Sequence, residues 1–198
     1  YLIRIIKTFQ EVPINFKLIK EKSSFLSHNY IMYLVGSFGS QIDKIIVVPL
    51  LGNAVLGNYS LALQVIILFK FLLPQESSGI QNKFLIQIVI IISVIISLVG
   101  IFLSPLVIPN FFPKYVDAGV AIQIMSLSII PVTITTICTS RLLSQEKSKV
   151  VLIGGLLGLF VLVSGILILG SMYGTMGIAI SFVLTAISKA TYLGLMVK

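Results

Sequence analysis

Two adjacent charged side chains interrupt an apolar stretch near the start of the chain. The segment FGSQIDKIIVVPLLG, from Phe38 to Gly52, carries Asp43 next to Lys44 among aliphatic residues. An acid or a base at the centre of a membrane helix costs about 2.5–3.5 kcal/mol on insertion scales, so such groups are functional candidates. Consecutive helical residues project about 100° apart. We therefore do not expect Asp43 and Lys44 to form a compact pair with each other.

Small and polar residues surround this acid at helical spacing. One narrow stripe contains Gly36, Gly39, Ser40 and Asp43, and an adjoining stripe contains Ser37, Gln41 and Lys44. The i, i+3, i+4, i+7 pattern predicts a helix whose polar half faces other helices or a wet cavity. In the alternative interpretation, the two charges lie near the outer interface, where the long Lys44 side chain reaches water.

Other polar side chains fall within or beside apolar runs and complete the set of candidate cavity residues. These are Gln64, Gln123, Arg141 and Lys189. Amides at membrane depth commonly join helices by hydrogen bonds, and a lysine near a helix end can reach the interface, so structural roles remain open. The glycines of GGLLG, from Gly154 to Gly158, predict a close helix-packing face. No catalytic or metal-binding arrangement is evident, so we expect neither an enzyme nor a bound cofactor.

The composition predicts an integral membrane protein. Hydrophobic residues make up 57% of the 198 residues and charged residues only 10%, against about 25% charged residues in soluble proteins. We predict an all-α bundle of six transmembrane helices over residues 24–198. The predicted spans are about 25–50, 55–73, 84–108, 116–140, 150–172 and 175–197. Residues 1–23 would form a basic amphipathic cytoplasmic linker or the end of a preceding helix, and Pro131 predicts a kink in the fourth span.

The distribution of basic residues predicts the orientation of these spans. The net charge is +8, and most lysines and arginines lie in breaks that alternate along the predicted spans. The positive-inside rule then places both termini in the cytoplasm, and nothing suggests a nucleic-acid surface. Because the sequence begins with Tyr1 and not Met, we expect a fragment of a longer chain.

Several quoted segments resemble one family of transporters. They are SQIDKIIVVPLLG followed by GNAVLGNYSLALQVI, then FFPKYVDAGVAIQIMSLSIIP, RLLSQEKSK and YGTMGIAISFVL. Together they resemble the C-terminal half of polysaccharide and oligosaccharide flippases. This group is the O-antigen and teichoic-acid exporter branch of the multidrug/oligosaccharidyl-lipid/polysaccharide exporter superfamily. The resemblance covers nearly the whole chain and implies one six-helix lobe of a two-lobe transporter, with the N-terminal lobe outside this sequence.

That resemblance implies a cargo and a set of contacts. The cargo would be a lipid-linked oligosaccharide, a sugar chain on polyprenyl pyrophosphate, that crosses the cytoplasmic membrane by alternating access between the lobes. Lys44, Arg141 or Lys189 would attract the pyrophosphate, and Gln41, Gln64 and Gln123 would suit sugar hydroxyls. Asp43 would balance Lys44 or bind a coupling H⁺ or Na⁺. Membrane lipids and a glycan polymerase or transferase are further expected partners.

Three rival functions remain open from the sequence. A multidrug and cation antiporter of the same superfamily should have a cavity with net acidity, which the two intramembrane lysines disfavour. A lipid II flippase should have several cavity arginines, whereas this chain has only Arg4 and Arg141. A non-transporting scaffold subunit of a glycan assembly complex would use the same charges for dry contacts with partner proteins.

Overall fold

The chain is almost entirely helical wherever its structure is described. The structure is a computed structural model that describes residues 23–72 and 83–197. These ranges contain helices and short turns but no strand, which confirms the predicted all-α class. The predicted linker at residues 1–23 lies outside the described residues except for Ser23, and so does most of the polar loop PQESSGIQNK.

Six helices follow one another along the described ranges. They are α1 Ser23–Phe71, α2 Lys83–Phe111, α3 Val116–Ser126, α4 Ile129–Ser144, α5 Ser148–Gly165 and α6 Ser171–Met196. A 3₁₀ turn, Pro113–Tyr115, precedes α3, and one π-helical turn, Ile166–Gly170, joins α5 to α6. Within this part of the chain, three helical stretches are long and apolar enough to cross a membrane: Ser23–Phe71, Phe84–Phe111 and Ser148–Met196. The count becomes four if the bent pair of α3 and α4 forms one span.

Gly52 divides α1 into two arms that lie side by side. Its backbone has φ 83° and ψ 173°, outside the helical region, in a conformation that glycine adopts at no steric cost. We call residues 23–51 α1a and residues 53–71 α1b. Tyr59 contacts Asp43, 16 residues earlier, whereas a straight helix would separate them by about 24 Å. The chain therefore doubles back at Gly52, within the predicted glycine turn LLGNAVLG.

A second turn at Gly174 brings α6 back along α5. Gly174 has φ 56° and ψ −129° and lies within the predicted turn SMYGTMG. Close approaches on both sides of this turn require residues without a Cβ atom. At Gly177 a Cβ would overlap the backbone carbonyl of Leu169, and at Gly165 it would lie 2.7 Å from the Cβ of Ser181. The two helices thus pack as an antiparallel hairpin with almost no space between their backbones.

The predicted kink in the fourth span is confirmed, with the break just before the proline. The segments Pro113–Ser126 and Ile129–Ser144 meet at 46°. Pro131 lies in the first turn of α4, where it has no N–H to donate to the carbonyl of Leu127, four residues earlier. A helix can tolerate proline in its first turn, because the N–H groups there have no intrahelical partner. The break at residues 127–128 is therefore the position where the missing hydrogen bond costs least.

The larger of two apolar clusters in the described residues joins all of these elements. Val47 and Tyr59 from the two arms of α1 are fully buried, and they cluster with Met125 of α3 and Ile178 of α6. A smaller cluster lies where α4, α5 and α6 meet, around Leu142. Helices α1, α4, α5 and α6 are mutual neighbours. Between these four helices the packing is incomplete and leaves a cavity.

Candidate functional site

The buried acid of the opening segment is hydrogen-bonded to a tyrosine across the Gly52 turn. Asp43 is only 4% exposed and Tyr59 is fully buried. The Tyr59 hydroxyl donates to Oδ2 of Asp43 at 2.6 Å, and the backbone N–H of Lys44 donates to Oδ1 at 2.8 Å. Both side-chain oxygens of Asp43 therefore accept a hydrogen bond. This contact fastens α1a to α1b inside the apolar core.

The neighbouring lysine takes no part in that contact through its ammonium group. Lys44 Nζ instead donates to Oε1 of Gln41 at 3.4 Å, on the exposed side of α1a. The expectation that Asp43 and Lys44 do not form a compact pair is confirmed. The helix directs the acid into the core and the base outwards, because consecutive residues project in different directions.

A cavity of about 460 Å³ lies between α1a, α4, α5 and α6. Two lysines contribute to its lining: Lys70 from the last turn of α1b, and Lys189 from α6. Three threonine side chains add hydroxyl groups, namely Thr135, Thr139 and Thr185. None of the lining residues in the described ranges is acidic. The described part of the lining thus combines two lysines and three threonine hydroxyls with apolar side chains.

Glycine makes the position of Lys189 possible. Gly158 on α5 faces the aliphatic stem of Lys189, and a Cβ atom at residue 158 would lie 2.7 Å from Cδ and closer still to Cε. One turn earlier, a Cβ at Gly154 would lie 3.0 Å from Leu193 of α6. The prediction that GGLLG forms a close packing face is confirmed for these two glycines. In addition, Gly158 provides the groove in which the lysine lies.

The lining also holds a buried hydroxyl without a protein partner. Oγ1 of Thr135 is buried and makes no hydrogen bond in the described part of the chain. By contrast, the hydroxyl of Thr185 donates to the carbonyl of Ser181 at 2.8 Å. A buried polar atom without a partner costs free energy, so it usually meets water or a ligand. Thr135 lines the cavity, but its Oγ1 atom has almost no accessible surface there.

The structure brings together only some of the site residues predicted from the sequence. Gly36 and Lys189 line the cavity, whereas Gln41, Asp43 and Lys44 form the neighbouring cluster on α1a. The remaining candidates lie elsewhere: Gln64 is exposed, Gln123 donates to the carbonyl of Ile101 at 3.2 Å, and Arg141 is half-buried in the last turn of α4. Ser40 belongs to α1a, but its side chain is outside the description.

Three contributors to this region are absent from the site residues predicted from the sequence. They are Lys70, Thr135 and Tyr59. The signal for Tyr59 was present, because Asp43 and Tyr59 stand at similar distances before and after the glycine turn at residue 52. No comparable signal links Lys70 to Lys189, which come from helices far apart in sequence.

Comparisons with known proteins leave the family open. No protein-family model, no curated protein and no solved structure matches the chain. Over residues 23–72 and 83–197, no group of three or more His, Cys, Asp or Glu side chains is arranged to hold a metal ion. The polar groups of this region are the ammonium groups of Lys70 and Lys189, the threonine hydroxyls of the cavity and the carboxyl group of Asp43.

Proposed function

We propose that the chain is one lobe of a transporter that moves a lipid-linked oligosaccharide, a polyprenyl-pyrophosphate sugar, across the cytoplasmic membrane for surface-polysaccharide synthesis. The observation that supports this best is the cavity with Lys70 and Lys189 in its lining. Lone charges and unpaired polar groups cannot enter hydrocarbon without a large free-energy cost. A space that offers ammonium groups to a pyrophosphate and hydroxyls to sugars lowers that cost, while the polyprenyl tail stays in the bilayer.

The proposed topology has six crossings with both ends of the lobe in the cytoplasm. What supports it is the return of the chain at Gly52 and at Gly174. The arm 53–71 alone is about 28 Å long, close to the roughly 30 Å thickness of the hydrocarbon core. In this arrangement Lys70, Arg141 and the α4–α5 loop lie on the cytoplasmic side, as the positive-inside rule requires.

The sign of the cavity charge favours an anionic cargo over a cationic one. A cation antiporter needs acidic side chains where its cargo binds. The described ranges contain three acids: Asp43, Asp117 and Glu146. None of them lines the cavity, and Asp43 already accepts hydrogen bonds from Tyr59 and the backbone. Lys189, in contrast, reaches the space that a cargo would occupy.

The cavity of one lobe is too small for a whole glycan, so the proposed mechanism needs a second lobe. The cavity volume of about 460 Å³ suits a pyrophosphate with its first sugar but not a long glycan, since ligand pockets of about 300–1,000 Å³ hold molecules of drug size. The rest of the glycan would lie in a larger space between this lobe and a second one. Rocking of the lobes would then expose the lysines first to the cytoplasmic side and afterwards to the opposite side.

The proposal is tested by a lipid-flipping assay with one matched pair of lysine variants. The complete natural protein that carries this sequence is placed in proteoliposomes with a fluorescent lipid-linked oligosaccharide, and movement between leaflets is followed by quencher accessibility. Lys189→Met removes one of the two lysine charges of the cavity and keeps a similar length of side chain. Lys147→Met is the control, because Lys147 is exposed in the loop before α5.

We expect flipping by the unaltered protein, a loss of roughly tenfold or more with Lys189→Met, and little change with Lys147→Met. A tenfold lower rate corresponds to the free energy of about one hydrogen bond to a charged group. Equal flipping rates in Lys189→Met and Lys147→Met would show that the cargo does not pass through the cavity. No movement by the unaltered protein, with several glycans and ion gradients, would favour a scaffold or a cation antiporter instead.

A further inference from the structure

We infer that one face of α1a packs against a transmembrane helix of the second lobe, and that this helix carries an Asp or Glu side chain opposite Lys44. Since it needs a second lobe, this assignment rests on the proposed function. We call the face the α1a seam. By the helical repeat it points away from Asp43 and from the cavity residues Gly36 and Gly39. Its six members are Tyr30, Leu34, Ser37, Gln41, Lys44 and Val48.

The spacing along the α1a seam is that of a helix-packing interface. Its members are separated alternately by four and three residues, so one narrow line of side chains faces a neighbouring helix that crosses at a small angle. Residues 30–48 extend about 27 Å along the helix axis, close to the roughly 30 Å of the hydrocarbon core. Five of the six members are exposed in the structure, namely Tyr30, Leu34, Ser37, Gln41 and Val48. The seam therefore offers a contact surface along nearly the whole width of the membrane.

Gln41 and Lys44 make lipid an unsuitable neighbour for this surface. In the proposed topology Gly52 lies at the outer boundary of the hydrocarbon core. Lys44 then lies about 12 Å below that boundary and Gln41 about 16 Å below it, for a helix along the membrane normal. Nζ of Lys44 donates to Oε1 of Gln41 at 3.4 Å, so the ammonium group turns towards the membrane centre and not towards the nearer outer surface. A charged side chain at this depth is costly in lipid.

The charge of Lys44 sets the chemistry of the partner helix. Gln41 offers the ammonium group an amide oxygen but no negative charge. The neighbouring acid, Asp43, accepts its hydrogen bond from Tyr59 on another side of α1a. A carboxylate on the facing helix would balance the charge and accept further hydrogen bonds from the ammonium group. One polar position in a packed seam also fixes the register of the two helices and selects the partner.

A second copy of this chain fits the α1a seam poorly. In a twofold dimer about the membrane normal, equal positions face each other at equal depth. Lys44 would then face another Lys44, and the low dielectric of the membrane strengthens their repulsion. Water alone also fits poorly, because the aliphatic side chains of Leu34 and Val48 belong to the seam and gain free energy from contact with apolar surface. A helix of different sequence that carries one carboxylate meets both conditions.

Photocrosslinking of the complete natural protein in its native membrane identifies the neighbour of the seam. p-Benzoylphenylalanine replaces Tyr30, which is 67% exposed, or, as the matched control, Phe38, which is 71% exposed on the apolar side of α1a. The crosslinked products are sequenced by mass spectrometry. A second measurement compares Lys44→Met with Ile45→Met by unfolding the whole protein in sodium dodecyl sulfate. Ile45 is the control, because it is exposed on the same helix and carries no charge.

We expect the probe at position 30 to crosslink to a peptide of the same polypeptide outside residues 1–198, and the probe at position 38 to crosslink to lipid. Lys44→Met should lower the detergent fraction at the unfolding midpoint, because it leaves the facing carboxylate unpaired. Ile45→Met should leave the midpoint unchanged. Exchanging the charges, with Lys44→Glu and a lysine at the acid of the crosslinked helix, should restore the midpoint.

A crosslink from position 30 to lipid, to residues 1–198 of either copy, or to another protein would overturn this assignment. A higher midpoint with Lys44→Met would overturn it as well, since removing a lysine that faces lipid should stabilise the protein. If Lys44→Met does not fold, the crosslinks still decide. Flipping without the expected crosslink would refute the seam and leave transport in place. The crosslink without flipping would support the seam and refute only the proposed transport.

Discussion

Replacing Tyr59 with phenylalanine removes one hydroxyl from the core and tests how much its hydrogen bond to Asp43 stabilises the fold. The change leaves the ring in place, so the main loss is the 2.6 Å hydrogen bond to Asp43. Hydrogen bonds to charged groups contribute about 1.5–3 kcal/mol. Hydrogen bonds between membrane helices average only about 0.6 kcal/mol. Because both oxygens of Asp43 accept hydrogen bonds, we expect Tyr59→Phe to lower the free energy of unfolding by about 1.5–3 kcal/mol.

The measurement is reversible unfolding by sodium dodecyl sulfate in mixed micelles, followed by helical circular dichroism. Tyr33→Phe serves as the matched control, since Tyr33 is 74% exposed and its change should stay within about 0.5 kcal/mol. A double-mutant cycle with Asp43→Asn then isolates the energy of the pair. A loss near 0.6 kcal/mol with little coupling would show that this contact contributes no more than an average hydrogen bond between membrane helices. If the Tyr59→Phe variant were as stable as the Tyr33→Phe variant, the hydrogen bond between Tyr59 and Asp43 would not stabilise the fold.

Two further predictions concern the glycines that shape the bundle. Gly52→Ala should lower the free energy of unfolding by about 1–3 kcal/mol, because φ 83° is strained for a residue with a Cβ atom; the same unfolding assay measures it. Gly177→Ala should cost about 1–3 kcal/mol through overlap with the carbonyl of Leu169, a backbone atom that cannot turn away. Gly194→Ala is the control for both, since nothing lies within 4 Å of a Cβ there. If the three variants were equally stable, the backbone argument at both turns would be wrong.

Helix positions were the most predictable part of this molecule, because they depend on local patterns. Long apolar runs, glycine turns and a proline break are each readable within a short window of sequence. The turn at Gly174 and the break before Pro131 both follow from such signals. The sequence could also indicate that Asp43 and Lys44 point in different directions, because that conclusion needs only the helical repeat.

The composition of the cavity was much less predictable, because it depends on contacts between distant segments. Lys70 and Lys189 are separated by 119 residues in the sequence, and no local pattern indicates that they share a space. Gly158 was predicted as a packing residue, and it is one, but its partner is a lysine stem and not another backbone. Gln64, a cavity candidate by residue type, is exposed, since the type of a side chain does not indicate which neighbour its helix face meets.

The hairpin of α1 keeps the buried acid apart from the lysines of the cavity. Asp43 lies in the core, where Tyr59 and a backbone N–H donate to its two oxygens, and it is not part of the cavity lining. Had Asp43 faced the cavity, its carboxyl group would have stood beside the two lysines of the lining. The Gly52 turn prevents this, because it brings Tyr59 against the acid. The hydrogen bond that stabilises the α1 hairpin therefore also keeps this acid out of the cavity lining.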